Sequence, residues 1–207
     1  MNLLTLLVTV SIAYCGIALA FLFLQARSRG KKIFYSAARM NAAPGIRYAF
    51  TQGMLPWEKE SAAHHLPTYL AGVIYHAGIG ISLFFLFCTL LNITLPALLY
   101  RTGGWIVMAG LISGFSLLIK RGVFRSLRSI SVPDDFLSNI LVNLFLVFTF
   151  SWILAPQTLP WLYGAAALLF FYIPAGKIRH CMYFFLSRRF LAIDLGRRAV
   201  FPPAVGR

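Results

Sequence analysis

Residues 64–87 have the sequence HHLPTYLAGVIYHAGIGISLFFLF. From residue 68 the chain stays almost entirely apolar up to residue 95, which is long enough to cross a bilayer as one helix. His76 interrupts this run about two turns, or roughly 12 Å, from its start. Because a titratable imidazole is costly in hydrocarbon, a histidine at that depth needs a partner or a function.

The composition of the whole chain is that of an integral membrane protein. Of its 207 residues, 59% are hydrophobic and only 12% are charged, which is about half the charge of a typical soluble domain. Apolar runs predict five spans, at 3–24, 68–95, 103–119, 136–155 and 161–186. The predicted fold is a single all-α domain, a bundle of five transmembrane helices with an interfacial segment over 25–66 and a cytoplasmic tail over 187–207.

The basic residues predict how the bundle is oriented. Every lysine and arginine except Arg101 lies in one of three clusters, at residues 27–59, 120–128 and 177–207. Five spans bring all three clusters to one side, and the positive-inside rule makes that side cytoplasmic and places the N-terminus outside. The net charge of +14 then indicates contact with anionic lipid head groups of the cytoplasmic (inner) cell membrane, and nucleic acid is not an expected partner.

Glycines flank both histidines that lie within predicted spans. Gly72 and Gly80 lie four residues before and after His76, on the same helix face. Gly176 lies four residues before His180, near the cytoplasmic end of the fifth span. An imidazole between residues without side chains leaves a flat slot that suits the edge of a porphyrin. Small residues at this spacing also mark ordinary close packing of helices, and that alternative stays open.

The number of histidines limits the chain to one bis-histidine haem. The histidines are His64, His65, His76 and His180. Such a haem needs ligands from two facing helices, and only His180 lies away from span two. We therefore expect His180 to be one axial ligand, with His76 as the preferred second ligand and His65 as the alternative. His64 and His65 are otherwise solvated interfacial residues, or a proton-exchanging pair at a quinone site, because imidazole titrates near neutral pH.

Charged residues near the cytoplasmic ends of the spans have two interpretations. Haem propionates need cationic or hydrogen-bonding neighbours, for which Lys177, Arg179 and Arg128 are candidates. As flanks of membrane helices the same three residues also satisfy the positive-inside rule without any cofactor. Ser131 or one of the aspartates Asp134 and Asp135 is expected to cap the fourth span, because such side chains favour the positive end of a helix.

Four stretches of the chain resemble the gamma subunit of respiratory nitrate reductase and the cytochrome b subunits of heterodisulfide-reductase-like and sulfite-reduction-linked membrane complexes. They are Tyr75-His76, RSISVPDD at 128–135, IPAGKIRHCMYFF at 173–185 and LGRRAVFPP at 195–203. The resemblance implies haem b between spans two and five, and electron exchange between a quinone pool and iron–sulfur or catalytic subunits. Nitrate reductase gamma subunits carry two haems. Here 81–92 and 160–173 contain no histidine, which implies that only the cytoplasmic-side haem is kept.

Two other functions remain open from the sequence. The histidines could be proton relays of a small proton-coupled transporter, although no predicted span contains a carboxylate. The interfacial segment and basic tail would also suit a haem-free membrane anchor for a soluble partner. Because no nucleophile–base pair or cluster of metal ligands occurs, chemistry on a final substrate is expected in another subunit.

Overall fold

The computed structural model describes residues 2–29, 37–58 and 60–201, and this part of the chain contains helices but no strand. Contacts divide the chain into a first unit of Met1–Ala18 and Pro67–Ile178 and a second unit of Leu19–Leu66 and Arg179–Arg207. Four helices are long and apolar enough to cross a membrane, or five if a broken pair counts as one span. The chain is therefore an all-helical, multi-pass membrane protein, as predicted.

The described residues form nine α-helices. In chain order they are α1 (Leu3–Arg29), α2 (Ala43–Phe50), α3 (Glu60–His64), α4 (Leu66–Leu90), α5 (Ala97–Val123), α6 (Arg125–Ser129), α7 (Pro133–Leu154), α8 (Leu159–Tyr172) and α9 (His180–Arg197). Short 3-10 turns lie at Gln52–Met54, Pro56–Glu58, Pro156–Thr158 and Lys177–Arg179. The first four predicted spans are confirmed as α1, α4, α5 and α7, with ends that differ by a few residues.

The largest differences in these ends lie at the connection between α4 and α5. The predicted second span ran to residue 95, but α4 ends at Leu90. Asn92 takes a left-handed conformation with φ of 55°, and the Ile93 N–H donates to the Cys88 carbonyl at 2.8 Å, a closure typical of helix ends. The predicted third span began at 103, whereas α5 begins directly after the extended Pro96.

The prediction of one continuous helix over 161–186 is wrong in its middle. Helix α8 ends at Tyr172, and α9 begins only at His180. Pro174 has no N–H to donate to the preceding helical turn. The N–H groups of Ala175 and Gly176 both donate to the Tyr172 carbonyl instead, at 3.0 and 2.8 Å. The chain therefore leaves the helix at this carbonyl.

The first unit is held together by close helix contacts and an aromatic cluster. A Cβ built at Gly78 of α4 would lie 2.9 Å from the Gly110 Cα of α5, so the two backbones touch where neither residue has a side chain. Beyond that contact the Phe85, Tyr100 and Trp152 rings pack with centroids 5.4 to 6.3 Å apart. These contacts join α4, α5 and α7 into one core.

The second unit consists largely of α2 packed on α9. A Cβ at Gly45 would lie 2.7 Å from the Gly196 Cα, and a Cβ at Gly196 would lie 3.3 Å from the Gly45 Cα. The two helices therefore require glycine at 45 and leave little room for a side chain at 196. The Arg188 guanidinium donates to the backbone carbonyls of Ala49 and Gly53. The described part of the predicted interfacial segment over 25–66 thus contains short helices, and the predicted tail over 187–207 is helical up to Arg197 and packs on them. Residues 30–36, 59 and 202–207 of these two segments lie outside the described residues.

Aromatic side chains complete this packing. Phe50 and Phe185 stack with ring centroids 6.4 Å apart, and Tyr48 packs on Phe201 at 5.2 Å. The Tyr48 hydroxyl donates to the Glu58 carboxylate at 2.6 Å, and this hydrogen bond, with burial and the Glu58 charge, raises the pKa of Tyr48 above its ordinary value. The bond ties the 3-10 turn at Pro56–Glu58 to α2.

Candidate functional site

His76 has the hydrogen bond that selects one tautomer of its ring. It lies in α4 with an exposed side chain, and its Nδ1 is 2.7 Å from the carbonyl oxygen of Gly72. Because a carbonyl oxygen only accepts hydrogen bonds, Nδ1 must carry the proton. In a neutral imidazole the lone pair is then on Nε2, at the outer end of the ring. This is the arrangement in which histidine binds a metal through Nε2 while Nδ1–H is held by the backbone.

The face of α4 that carries His76 is open. A Cβ added at Gly72 or at Gly80 would meet nothing within 4 Å. Gly78, in contrast, contacts the backbone of α5. Gly78 therefore serves packing between described helices, whereas Gly72 and Gly80 contact no other described helix. A flat group can approach His76 from this side without displacing any side chain of the described chain.

His180 is the first residue of α9 and is exposed. It belongs to the second unit, whereas His76 belongs to the first. The two histidines predicted to bind one haem therefore belong to different units. Their pairing across one haem stays a prediction from the sequence.

The expected slot beside Gly176 is closed, and that part of the prediction is wrong. A Cβ at Gly176 would lie only 2.2 Å from the Cζ atom of Tyr172. The Tyr172 ring therefore covers the glycine and fills the space that its missing side chain leaves. Gly176 serves the local packing of the turn after α8, unlike Gly72 and Gly80.

The three candidate propionate contacts have different surroundings. Arg128, near the end of α6, and Arg179, before His180, are exposed. The Lys177 ammonium donates to the Asp135 carboxylate, in an ion pair whose lysine side chain is half exposed. A propionate at Lys177 would have to share that ammonium with Asp135. The roles of all three cations toward a haem stay predictions.

His64 and His65 lie between the short helix α3 and α4. His64 is the last residue of α3, and the His65 N–H donates to the Ala62 carbonyl at 3.2 Å. Both side chains are exposed. Solvated interfacial residues, a quinone-linked proton pair and, for His65, an alternative axial ligand all stay open.

Asp135 is the residue whose importance the sequence analysis missed. Its carboxylate does accept the Val132 N–H at 3.0 Å, as expected of a residue that caps α7. It also binds the Arg121 guanidinium at 2.9 Å and the Lys177 ammonium, although its side chain is only 7% exposed. In the sequence, the only indication of these ion pairs is that an acidic residue lies between two clusters of cations.

The geometry around His76 fits one axial position of a haem. Such a ligand needs an imidazole nitrogen with a free lone pair and room for a flat macrocycle beside it. The Nδ1–H bond to Gly72 and the open positions at Gly72 and Gly80 meet both needs.

The chain was compared with protein-family models, with curated proteins and with solved structures, and it matches none of them.

Proposed function

We propose that this chain is the haem b membrane subunit of a quinone-linked respiratory oxidoreductase, similar to nitrate reductase gamma subunits. It would pass electrons between the quinone pool and iron–sulfur or catalytic partner subunits on the cytoplasmic side of the inner cell membrane. Chemistry on the final substrate would take place in a partner subunit. Bound haem b would supply the one-electron redox couple that the side chains of this chain lack.

The single observation that carries the proposal is the state of His76. An intramembrane histidine that served only as a packing residue would be buried against a neighbouring helix. His76 instead lies on an open, glycine-flanked face, with Nδ1 bound to its own helix and with no described residue bonded to Nε2. In the proposal Nε2 of His76 and a ring nitrogen of His180 would hold the haem, and the Gly72 carbonyl would fix the orientation of the His76 ring.

The proposed orientation follows from the charges. With the N-terminus outside and the C-terminus in the cytoplasm, His76 and His180 both fall in the cytoplasmic half of the bilayer. Quinone and redox partner would then meet this chain on the same side. With one haem at that depth, the chain alone provides no electron path to the outer face, and electron transfer through it would move no net charge across the membrane.

An absorption spectrum of the purified, dithionite-reduced protein tests the proposal. We expect the α-band and Soret band of a low-spin b haem, and one haem per chain by the pyridine haemochrome assay. His180→Ala should abolish the low-spin spectrum, whereas His65→Ala should leave it unchanged. Two haems per chain would contradict the single-haem proposal. If His65→Ala lost the spectrum and His76→Ala kept it, the second ligand would be His65 and not His76.

A folded protein without haem would overturn the proposal. The purification should therefore use cells supplied with a haem precursor, and circular dichroism should confirm that the colourless protein is helical. In that case we would favour a haem-free membrane anchor for a soluble partner, because α2 and α9 belong to the second unit and expose aromatic and basic side chains. Co-purified subunits would then identify what is anchored.

A further inference from the structure

Residues spaced by four run along α4 from its first turn to His76 and beyond. They are Thr68, Gly72, His76 and Gly80, and we call these four residues the His76 stripe. Positions four apart lie above one another on one side of a helix. Eight residues, or about 12 Å of helix, separate Thr68 from His76. The His76 stripe thus connects the candidate axial ligand with the beginning of α4.

Lys120 of α5 binds the first residue of the His76 stripe. Its ammonium donates to the Thr68 hydroxyl oxygen at 2.5 Å. This contact continues the packing of α4 on α5, which includes the close approach of Gly78 to Gly110 further along. Thr68, His76 and Lys120 all belong to the first unit. The relation between the Lys120 ammonium and the His76 stripe is therefore a property of that unit alone.

Lys120 differs from two other cations of the first unit in having no carboxylate partner among the described residues. The Arg121 guanidinium and the Lys177 ammonium both bind the Asp135 carboxylate. Lys120 is only partly exposed, and it is bound to a neutral hydroxyl group. An ammonium withdrawn from water is stabilised by an anion that binds it. The surroundings of Lys120 therefore favour an anionic group from outside the described chain.

The Thr68 hydroxyl can provide a second hydrogen bond to such an anion. A hydroxyl group has two lone pairs and one proton. One lone pair of Thr68 accepts the Lys120 ammonium, and no residue that the structure describes accepts its proton. An ammonium and a hydroxyl side by side can both donate to one carboxylate. This pair of donors therefore suits a carboxylate that lies over the beginning of the His76 stripe.

We propose that Lys120 and Thr68 bind a propionate of the haem that His76 holds. The inference rests on the function proposed above and names two further residues of its cofactor site. Gly72 lies between His76 and Thr68, and a Cβ there would meet nothing within 4 Å, so no side chain separates the two donors from the iron ligand. Lys120 is not among the propionate contacts predicted from sequence, because no local pattern relates it to a residue 52 positions earlier.

The midpoint potential of the bound haem is the first test. Oxidised haem carries one more positive charge than reduced haem, so a propionate that loses its cation favours the oxidised form. A unit charge about 12 Å away changes a one-electron equilibrium about tenfold at an effective dielectric constant of about 20, which corresponds to about 59 mV. Lys120→Gln should lower the potential by about this amount, and Lys120→Arg should restore most of it. Arg125→Gln, which removes an exposed cation of α6, is the matched control and should leave the potential unchanged.

The dimethyl ester of haem is the second test, because it lacks both carboxylates. The haem-free protein is reconstituted with haem or with the ester, and release of each to apomyoglobin is timed. In the wild type the ester should leave at least about tenfold faster than haem, because it makes no charge-assisted hydrogen bond to Lys120. In Lys120→Gln this ratio should fall several-fold, as in a double-mutant cycle between one side chain and one cofactor group.

A second variant covers the case in which Lys120→Gln fails to fold. Thr68→Val keeps the size of the side chain but removes the hydroxyl that holds the ammonium. It should lower the midpoint potential in the same direction by a smaller amount, whereas Thr68→Ser should behave as the wild type. Circular dichroism of each purified variant shows whether it is helical.

The outcomes separate this inference from the proposed function. If the wild type binds haem and Lys120→Gln changes neither the potential nor the release ratio, the propionate contact is wrong and the proposed function stands. If Lys120→Gln speeds the release of haem and of its ester equally, Lys120 serves another anion, such as a lipid phosphate, and the propionate contact is again overturned. If the wild type binds no haem, the proposed function fails together with this inference.

Discussion

Tyr75 and His76 are neighbours in α4, yet they lie on faces with opposite surroundings. Tyr75 is 8% exposed, its ring lies where a Cβ at Gly114 would meet it at 2.4 Å, and its hydroxyl donates to the Asn139 carbonyl at 3.4 Å. His76 is exposed, and the hydrogen bond of its ring goes to the Gly72 carbonyl of its own helix. One face of α4 is thus completed by other helices, and the other is left for something outside the described chain.

Glycine has a different function on each face. Gly78 on the packed face lets α4 touch the backbone of α5, whereas a Cβ added at Gly72 or Gly80 would meet nothing within 4 Å. Glycine content alone therefore does not distinguish a helix contact from a binding slot. The position of the glycine relative to the buried residues does.

The largest contrast should come from truncating the two neighbours. We expect Tyr75→Ala to lower the free energy of unfolding by about 3 kcal/mol, because a buried aromatic ring leaves a cavity. His76→Ala should change that free energy by less than about 0.5 kcal/mol in the haem-free protein but should abolish the haem spectrum. Unfolding in SDS, followed by circular dichroism, measures the first effect, and absorbance measures the second. Equal destabilisation by both variants would contradict the two-face description.

A branched side chain at the packed glycine should have the next largest effect. Gly78→Val must push α4 away from Gly110, and we expect a loss of about 2 kcal/mol in the SDS unfolding assay. Gly16→Val in α1 is the matched control, because a Cβ at Gly16 meets nothing within 4 Å. If Gly78→Val were as stable as its control, the close contact between α4 and α5 would be in doubt.

A bulky side chain on the open face of α4 should lower the haem content more than it lowers the free energy of unfolding. Gly80→Leu places a bulky side chain one turn from His76, where the described chain leaves room for it. We expect unfolding free energy within about 0.5 kcal/mol of wild type and a several-fold lower haem content by the pyridine haemochrome assay. Gly16→Leu should change neither quantity. Normal haem content in Gly80→Leu would show that no flat group approaches this face.

The smallest effect should come from a single methyl group on the open face. Gly72→Ala should raise the unfolding free energy by roughly 0.5 kcal/mol, because alanine loses less conformational entropy than glycine within a helix. The backbone carbonyl that holds His76 stays in place in this variant, so the spectrum should be retained. A clear loss of stability would mean that the position is packed after all.

The long helices and the open face around His76 could be predicted from the sequence because both depend on local patterns. Apolar runs of membrane length identify α1, α4, α5 and α7, and a spacing of four residues puts Gly72, His76 and Gly80 on one face. The same spacing at Gly176 was misleading, because the Tyr172 ring folds back over the glycine. The direction in which that ring turns depends on Asp134, which lies in another helix.

The ion pairs of Asp135 could not be predicted because the residues that form them come from three separate parts of the chain. Arg121 lies in the last turn of α5, Asp135 lies in the first turn of α7, and Lys177 follows α8. The sequence contains many cations at the cytoplasmic ends of helices, and nothing local indicates which of them meets a buried carboxylate. The break in the last span was foreseeable in part, since Pro174 disfavours a continuous helix.

Helix α8 is short for a membrane helix. Its 14 residues extend about 21 Å. With the preceding 3-10 turn at Pro156–Thr158, at about 2 Å per residue, the combined length is roughly 27 Å. A typical hydrocarbon core is about 30 Å thick. Hydrophobic mismatch of this kind is met by local thinning of the bilayer and by snorkelling of flanking cations. We therefore expect the acyl-chain length of the surrounding lipids to affect the end of α8, which Lys177 and Arg179 follow.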